Sequence, residues 1–354
     1  MSMRTLAFQP GDILTRDDIR ADLGGSKQGG ICPSVPKRAI SLFSDKSSGD
    51  RYGYRDGWLT EEDALGPIFE YTGAGSRGHQ SFGGLHGKGN SAILRHVIDD
   101  RTLYLFTAVG RVPGTATKTH RYVGPFKLDE IEPYRGRQAV DDRQQLRSVI
   151  VFRLRPIDAY CRFSSDVIPP PSEPSTSFIP YSPGGRPVEP AEVRELRERD
   201  MSLAAVAARR RAALNDDFEA YRHGQGGNVG RLHQLVEYDA QVLVSGVFDA
   251  GDGSLCEPSE SPSRAALRDA MGRLLDISQQ VTLPGEDAPL RLMILSPGAP
   301  SAATQELLAD YQIGLICQES DGTFTELRSG TRVRRSRGGR PLPCADCPAI
   351  QGAG

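Results

Sequence analysis

Aromatic rings, glycines and one carboxylate occur together in two short stretches near the N-terminus. The first, "YGYRDGW" at residues 52–58, contains Tyr54 and Asp56, and the second, "YTGAGSRGHQ" at residues 71–80, begins with Tyr71 and Thr72. Two rings with an acid between them could line a pocket for a flat ligand, because rings stack on a planar group and a carboxylate accepts its N–H. A β-turn with Asp-Gly at its tip is the plain alternative for the first stretch.

Glycine-rich loops with basic and amide side chains flank this pair of stretches. "GGSKQGGI" at residues 24–31 has four glycines, which let a backbone approach another molecule closely and turn its amides toward a phosphate. The loop at residues 73–89 is also rich in glycine and basic residues. A solvated loop edge is the alternative for both. The predicted DNA contacts are Lys27, Gln28, Lys37 and Arg38, with Arg77, His79, Gln80 and Lys88 in the second loop.

Four stretches in this order, "GGSKQGGI", "YGYRDGW", "YTGAGSRG" and "GNSAIL", resemble the SRA (SET- and RING-associated) domain. The resemblance is narrower to the version fused to HNH nucleases in actinobacterial modification-dependent restriction enzymes, and it covers about residues 10–160. It implies a bacterial α+β domain with a PUA-like curved β-barrel. Such a domain binds duplex DNA and flips a C5-modified cytosine into a pocket.

The resemblance also implies roles for single residues. Tyr54 and Tyr71 would stack on the flipped base, Asp56 would accept a hydrogen bond from its N4 amino group, and the backbone of Thr72 would complete recognition of the base edge. Family members commonly have Asp where this chain has His79, so contacts of that loop can differ here. The favoured modification is 5-methylcytosine, with 5-hydroxymethylcytosine left open, and an RNA or small-ligand module on the same barrel is a further alternative.

The distribution of turn signals and apolar segments predicts several domains. Short β-type segments from residue 11 to about 158 indicate a mostly antiparallel sheet, with one helix in "NSAILRHVID" capped by Asn90. "VIPPPSEPSTSFIPYSPGGRPVEP" is typical of a linker. We therefore expect an SRA-like domain at 1–160, a linker and helical connector at 161–230, an α/β domain at 231–330 and a basic disordered tail at 331–354.

The C-terminal α/β segment weakly resembles the PD-(D/E)XK restriction-endonuclease core. Asp239 and Glu257 stand where that core holds Mg²⁺, but the sequence continues Pro258-Ser259 and lacks the Glu-X-Lys lysine. The favoured interpretation is an inactive module for interaction or homodimerisation. The alternative is a modification-dependent endonuclease that uses Asp239 and Glu257 with Mg²⁺. The spaced His and Asn residues of an HNH site are not found in this half of the sequence.

Bulk composition favours a globular protein: 38% of the residues are hydrophobic and 25% are charged, with a formal net charge of −2. The N-terminal sequence lacks the apolar stretch of a signal peptide, so we expect a cytoplasmic, nucleoid-associated protein without a membrane partner. The six cysteines are scattered except for "CADC" at residues 344–347, which could be half of a zinc site. Because no second Cys/His pair accompanies it, no metal or other cofactor is predicted, apart from Mg²⁺ under the endonuclease alternative.

Overall fold

A computed structural model describes residues 5–60, 62–169, 175–184, 187–198, 201–235, 242–281, 290–328, 330 and 332–333. The chain divides into two compact units. The first comprises Met1–Pro170 and Ser182–Val206, and the second comprises Pro171–Tyr181 and Ala207–Gly354. The segment predicted as a separate linker and connector therefore contributes to both units. The predicted basic tail beyond residue 333 lies outside the described residues.

The first unit is built from nine strands and four short helices in its described part. The strands are β1 (Ile13–Thr15), β2 (Ile31–Ser34), β3 (Ala39–Ser44), β4 (Gly57–Trp58), β5 (Phe69–Thr72), β6 (Thr102–Arg111), β7 (Lys118–Leu128), β8 (Tyr134–Val140) and β9 (Leu146–Pro156). The helices are α1 (Arg16–Leu23), α2 (Lys46–Gly49), α3 (Gly84–Leu94) and α4 (Ala191–Glu198). A 3₁₀ turn follows α2 at Asp50–Tyr52.

These strands form one sheet in the order β2-β3-β6-β7-β9-β5-β4, to which β1 adds beside β7 and β8 beside β9. β3 and β6 are parallel, and the remaining pairs are antiparallel. This is the mixed α+β domain that the sequence predicts. In the described part of the chain the end strands β2 and β4 do not pair with each other. The sheet is therefore not closed into the predicted barrel by hydrogen bonds between these strands.

The core of the first unit explains why the strand segments are continuous in apolar residues. All six residues of β3, "AISLFS", are buried, as expected for a strand covered on both faces. Trp58 packs edge-on against Phe69 with ring centroids 5.4 Å apart and also contacts Phe126. Burying each such side chain contributes about 1.5–3 kcal/mol. This core holds β4 and β5; Asp56 directly precedes β4, and Tyr71 lies in β5.

The helix α3 differs from the prediction at its start. It begins at Gly84 rather than after Asn90, and Asn90 is fully buried within it. The Asn90 side-chain oxygen accepts a hydrogen bond from the Ala74 backbone N–H at 2.7 Å, and its amide donates to the Ala74 and Ser81 carbonyls. Asn90 therefore binds the neighbouring loop instead of capping a helix, a role that only the tertiary fold could define.

The second unit is an α/β domain in its described part, the class that the sequence predicts for residues 231–330. Its strands are β10 (Ser175–Pro180), β11 (Val229–Leu235), β12 (Val242–Val244), β13 (Val247–Asp249), β14 (Ser254–Pro258), β15 (Leu290–Ser296), β16 (Gly314–Gln318), β17 (Phe324–Arg328) and β18 (Arg332–Val333). Its helices are most of α5 (Leu203–Gly224), α6 (Arg264–Gln280) and α7 (Ala302–Asp310). β10 was not predicted, because its Pro- and Ser-rich sequence is typical of a linker; it pairs with β11 at the sheet edge, where proline is tolerated.

The sheet of the second unit runs in the order β10-β11-β13-β14-β15-β16-β17. β14, β15 and β16 are parallel neighbours, and α6 packs its buried face, including Leu267, Ala270 and Leu274, into the core beside them. Ser263 caps α6 by accepting a hydrogen bond from the Ala266 backbone N–H. Among the described residues of the chain, no helix is long and apolar enough to cross a membrane.

Candidate nucleic-acid interface

A cavity of about 540 Å³ opens on the first unit where β3, the 3₁₀ turn and β5 come together. All four residues predicted from the sequence line it: Tyr54, Asp56, Tyr71 and Thr72. The rest of its wall is formed by Gly30, Phe43, Asp45, Ser48, Gly49 and Tyr52, and by the backbone segment from Gly73 to Ser76. The fold thus brings the two opening stretches and the first glycine-rich loop to one site.

Asp56 is the acid of this cavity, and both of its oxygens are held in place. The Thr72 backbone N–H donates to Oδ1 at 2.8 Å, and the Ser44 hydroxyl donates to Oδ2 at 3.1 Å. Burial raises the pKa of Asp56 to about 6, although the hydrogen bonds from Thr72 and Ser44 oppose the rise. The Thr72 backbone, which is expected to complete recognition of the base edge, uses its N–H to orient the acid.

Tyr71 forms a wall of the cavity and is only 2% exposed. Its hydroxyl donates to the Gly30 carbonyl at 2.8 Å, and the Phe43 backbone N–H donates to the same oxygen at 2.8 Å. A Cβ atom on Gly30 would lie 3.0 Å from the Tyr71 hydroxyl oxygen. The end of the "GGSKQGGI" loop is therefore attached directly to this wall, and a side chain at Gly30 would press against the Tyr71 hydroxyl.

Tyr54 is anchored through its hydroxyl on the other side of the cavity. The hydroxyl donates to the Gly75 carbonyl at 2.8 Å and accepts from Arg147 Nη2 at 2.6 Å and from Gln80 Nε2 at 3.3 Å. Its hydrogen-bonding capacity is therefore filled, and the residue can offer a ligand only its ring. Tyr52 lies against Tyr54 with ring centroids 5.6 Å apart.

Arg147 is the residue of this site that sequence reasoning missed. It is 2% exposed, and besides Tyr54 it donates to the Gly75 and Gly78 carbonyls at 2.8 and 3.2 Å. Arg147 thus joins β9 to both Tyr54 and the second glycine-rich loop. The sequence of β9, "LRSVIVFRLRP", could have indicated this role. An arginine that faces inward in such an apolar strand must find buried hydrogen-bond acceptors.

Gln80, predicted as a DNA contact, is instead buried at 4% exposure. Its amide nitrogen donates to the Gly73 carbonyl at 2.6 Å and its oxygen accepts from the Ile150 N–H at 2.8 Å. The prediction was wrong because a polar residue in a glycine-rich stretch is typical of an exposed loop, whereas this one satisfies backbone groups below the loop. Gln80 supports the rim of the cavity from inside.

The remaining predicted DNA contacts divide by position. Gln28 is exposed on the loop that ends at Gly30, and exposed Lys27 beside it forms an ion pair with Asp17 at 2.9 Å. Exposed Arg77 pairs with Asp142 at 2.6 Å. His79 accepts a hydrogen bond from the Ser148 N–H at 3.1 Å. Arg77 and His79 follow the cavity segment directly.

Three other predicted contacts lie elsewhere in the first unit. Arg38 pairs with Asp100 at 2.6 Å, and it lies with Lys37 in the turn before β3. Five residues of β3 separate that turn from Ser44, which corresponds to about 16 Å at a rise of ~3.3 Å per residue. The fold therefore places Lys37 and Arg38 at the opposite end of this strand from the cavity. Lys88 is exposed on α3.

The second unit places Glu257 on β14 in a buried ion pair. Arg273 Nε of α6 donates to Glu257 Oε1 at 2.9 Å, and the Gly246 N–H donates to Oε2 at 3.2 Å. Burial raises the pKa of Glu257, although Arg273 opposes the rise. Ser259, at the position of the missing lysine, is fully buried and donates to the Ser261 carbonyl. Asp239 and "CADC" lie outside the described residues.

Metal-binding clusters of three or more His, Cys, Asp or Glu side chains are absent from the described parts of both units. The four cysteines that fall in those parts, Cys32, Cys161, Cys256 and Cys317, are free thiols.

Comparisons with known proteins agree with the architecture of the first unit. Residues 10–167 match the family model described as "ScoMcrA-like, SRA domain". The resemblance to SRA domains predicted from the sequence is thereby confirmed for this segment. No curated protein gives a match.

Several solved structures are similar to part of the chain. The Type IV phosphorothioation-dependent restriction endonuclease ScoMcrA is 21% identical with a TM-score of 0.32, over 44% of this chain and 29% of that chain. The sulfur-binding and SRA domains of ScoMcrA complexed with phosphorothioated DNA are 21% identical with a TM-score of 0.31, over 44% of this chain and 41% of that chain. The SUVH5 SRA domain complexed with hemi-methylated CG DNA is 17% identical with a TM-score of 0.29, over 45% of this chain and 96% of that chain. This chain spans less than half the length of the first two structures.

Proposed function

We propose that the first unit binds duplex DNA and flips a C5-modified cytosine into the cavity between Tyr54 and Tyr71. The observation that carries this proposal is the placement of Asp56 at a cavity with two anchored aromatic walls. The Asp56 oxygens accept hydrogen bonds from Thr72 and from the Ser44 hydroxyl, and a carboxylate offers about four lone-pair sites. Asp56 can therefore accept the N4 amino group of cytosine, the donor that this base presents.

The energetics of the site are adequate for base flipping. Unstacking and unpairing one base costs a few kcal/mol, and stacking on an aromatic side chain returns about 1–3 kcal/mol per contact. Tyr54 and Tyr71 are held before any ligand arrives, so little side-chain entropy is lost on binding. The match of residues 10–167 to an SRA family model also supports binding of modified DNA.

Among cytosine modifications we propose 5-methylcytosine as the ligand. Phe43 and Ala74 supply apolar surface in the cavity wall, which suits a methyl group better than a hydroxymethyl group. The protein would then act on the chromosome in the cytoplasm, at the nucleoid.

Binding titrations with two matched duplexes test this function. Fluorescence anisotropy should give tighter binding to a duplex with one 5-methylcytosine than to the same unmodified duplex, and Asp56→Ala and Tyr71→Ala should abolish that difference. Tyr54→Phe should keep only part of the preference, because it keeps the stacking ring but removes the hydroxyl that anchors the ring to Gly75 and Arg147. Equal affinity of the wild type for both duplexes, or a preference that survives both alanine variants, would refute the pocket. A parallel duplex with 5-hydroxymethylcytosine tests the choice of modification.

For the second unit we propose a non-cleaving module with a PD-(D/E)XK-like outline that supports interaction or homodimerisation. The order β13, β14, α6 and β15 supports this outline, and each oxygen of Glu257 already accepts a hydrogen bond, from Arg273 or from the Gly246 N–H. The competing function is a Mg²⁺-dependent endonuclease using Asp239 and Glu257. Methylated plasmid incubated with Mg²⁺ or Mn²⁺ distinguishes the two: cleavage that Glu257→Ala abolishes would establish the endonuclease.

A further inference from the structure

The turn between β8 and β9 projects from the first unit beside the cavity. We call residues 141–146 the β8–β9 tip. Val140 and Leu146 face each other as the last pair of the hairpin, and Gln144 adopts a left-handed backbone with φ of 60°. Leu146 is 75% exposed. A single exposed leucine is ordinary on a protein surface, so its meaning depends on its surroundings.

The β8–β9 tip is rigid because Asp141 organises it. The buried Asp141 carboxylate accepts the backbone N–H groups of Arg143 at 2.7 Å and Gln145 at 3.0 Å. The Asp141 N–H donates to the Gln145 carbonyl at 2.9 Å, and the Gln144 N–H donates to the Asp141 carbonyl at 3.1 Å. The side chains on the tip are therefore presented on a backbone that needs no further ordering when it meets a partner.

The tip is also attached to the rim of the cavity. The Asp142 N–H donates to the carbonyl of Ser76, a cavity residue, at 3.3 Å. The Asp142 carboxylate pairs with Arg77 at 2.6 Å. One residue beyond the tip, Arg147 donates to the Gly75 carbonyl and to the Tyr54 hydroxyl. A duplex that delivers a nucleotide into this cavity must pass close to the tip.

The side chains of the tip have the chemistry to hold such a duplex. Arg143, Gln144 and Gln145 are exposed, and within the described residues none of their side-chain groups makes a hydrogen bond. An arginine can bind a phosphate, and glutamine amides can bind base edges. An exposed leucine can make apolar contact with base and sugar edges in a groove of the duplex, whatever the modification of the base.

We propose that the β8–β9 tip is a further DNA-contacting element, in addition to the two glycine-rich loops. Leu146 packs against apolar groups in the groove beside the cavity, and Arg143 binds the adjacent phosphate. This proposal rests on the proposed binding of duplex DNA. It differs from the cavity in effect: the tip adds affinity for any duplex, whereas the cavity discriminates the modified base.

The test measures Kd by fluorescence anisotropy for full-length variants on the 5-methylcytosine duplex and its unmodified counterpart. Leu146→Ser should weaken binding to both duplexes by about tenfold and leave their ratio unchanged, because apolar contact area is lost. Leu146→Met keeps the apolar contact and should stay within about twofold of the wild type. Arg143→Gln should reduce the dependence of log Kd on log salt concentration by about one.

Leu65→Ser provides the matched control, since Leu65 is 57% exposed but lies away from the tip. Its neighbours Asp63 and Gly66 bind Arg155, eight residues after Arg147 and thus about 26 Å along β9. This variant should bind as the wild type does. If Leu146→Ser also binds both duplexes within twofold of the wild type, the tip is not a DNA contact. A wild type with no preference for modified DNA would instead refute the pocket, and a common loss in Leu146→Ser would still support the tip.

Discussion

Replacing Asp56 by asparagine should stabilise the first unit at neutral pH while it removes recognition of the base. Burial raises the pKa of Asp56 from 3.8 to about 6, so at pH 7.5 the folded protein holds a carboxylate that it would hold more favourably as a neutral group. A rise of this size corresponds to about 3 kcal/mol. Because the side chain is partly open to the cavity, we expect a gain of about 1–2 kcal/mol from Asp56→Asn.

The pH dependence of the free energy of unfolding follows from the same shift. Since folded Asp56 binds its proton more tightly than unfolded Asp56 does, its contribution to stability is fully present below the unfolded pKa of 3.8. That contribution falls as the pH rises to about 6 and stays low above it. Asparagine does not titrate, so the gain from Asp56→Asn should appear at pH 7.5 and vanish near pH 4.

Urea denaturation followed by tryptophan fluorescence measures this change in the unit that contains the cavity. Trp58 is the only tryptophan of the chain and is fully buried in the core of that unit. The same titrations with the 5-methylcytosine duplex should show that Asp56→Asn loses the preference for modified DNA. A variant that is more stable but no longer recognises the modified base is expected when the original residue serves binding at the expense of stability.

Asp45 offers a control in the same cavity with the opposite sign. Burial opposes its ionisation, but hydrogen bonds from Lys118, Ser47 and Ser48 outweigh burial and hold the pKa of Asp45 below its usual range. Its stabilising contribution is present above pH 3.8 and is lost in acid. Asp45→Asn should therefore destabilise the protein at pH 7.5. If Asp56→Asn destabilises it as well, or changes nothing, the assignment of Asp56 as a strained carboxylate is refuted.

Three further substitutions probe the supports of the two units. Arg147→Met should weaken binding of the methylated duplex by about tenfold in anisotropy titrations, because Tyr54 loses a charge-assisted hydrogen bond; an affinity equal to that of the wild type would contradict this. Gly30→Ala should reduce the ratio of the two affinities without weakening binding of the unmodified duplex, since the new Cβ displaces Tyr71. In the second unit, Arg273→Ala should destabilise the fold by about 3 kcal/mol in thermal denaturation. Adding Glu257→Gln to this variant should recover part of the lost stability, because it removes the unpaired buried charge. If the double variant recovers no stability, the ion pair is not structural.

The cavity residues could be predicted from the sequence because each recognition stretch is local. Tyr54 and Asp56 are two residues apart, and Tyr71 and Thr72 are adjacent, so a short pattern carries them. Their supports could not be predicted in the same way. Arg147 is 93 residues from its partner Tyr54, and only the register of β9 against β5 and β8 brings the two together.

Polar residues with a buried role were the other source of error. Gln80 and Asn90 stand in glycine-rich, polar sequence, which has the composition of an exposed loop. In the structure each of them satisfies backbone groups of residues 73–75 that the cavity leaves without strand partners. A buried backbone group without a partner is costly, so a loop that borders a pocket needs such side chains. Composition alone does not distinguish them from surface contacts.

The two aromatic walls share one design, which couples the cavity to the loops around it. The Tyr71 hydroxyl donates to the Gly30 carbonyl, and the Tyr54 hydroxyl donates to the Gly75 carbonyl. Each ring is thus bonded to the backbone of a glycine-rich loop, and the second loop is bonded in turn to the β8–β9 tip. A displacement of either loop by a duplex would therefore move the wall that stacks on the base. In the proposed function, gripping the DNA and shaping the pocket are consequently one linked event, and the glycines at positions 30 and 75 serve both.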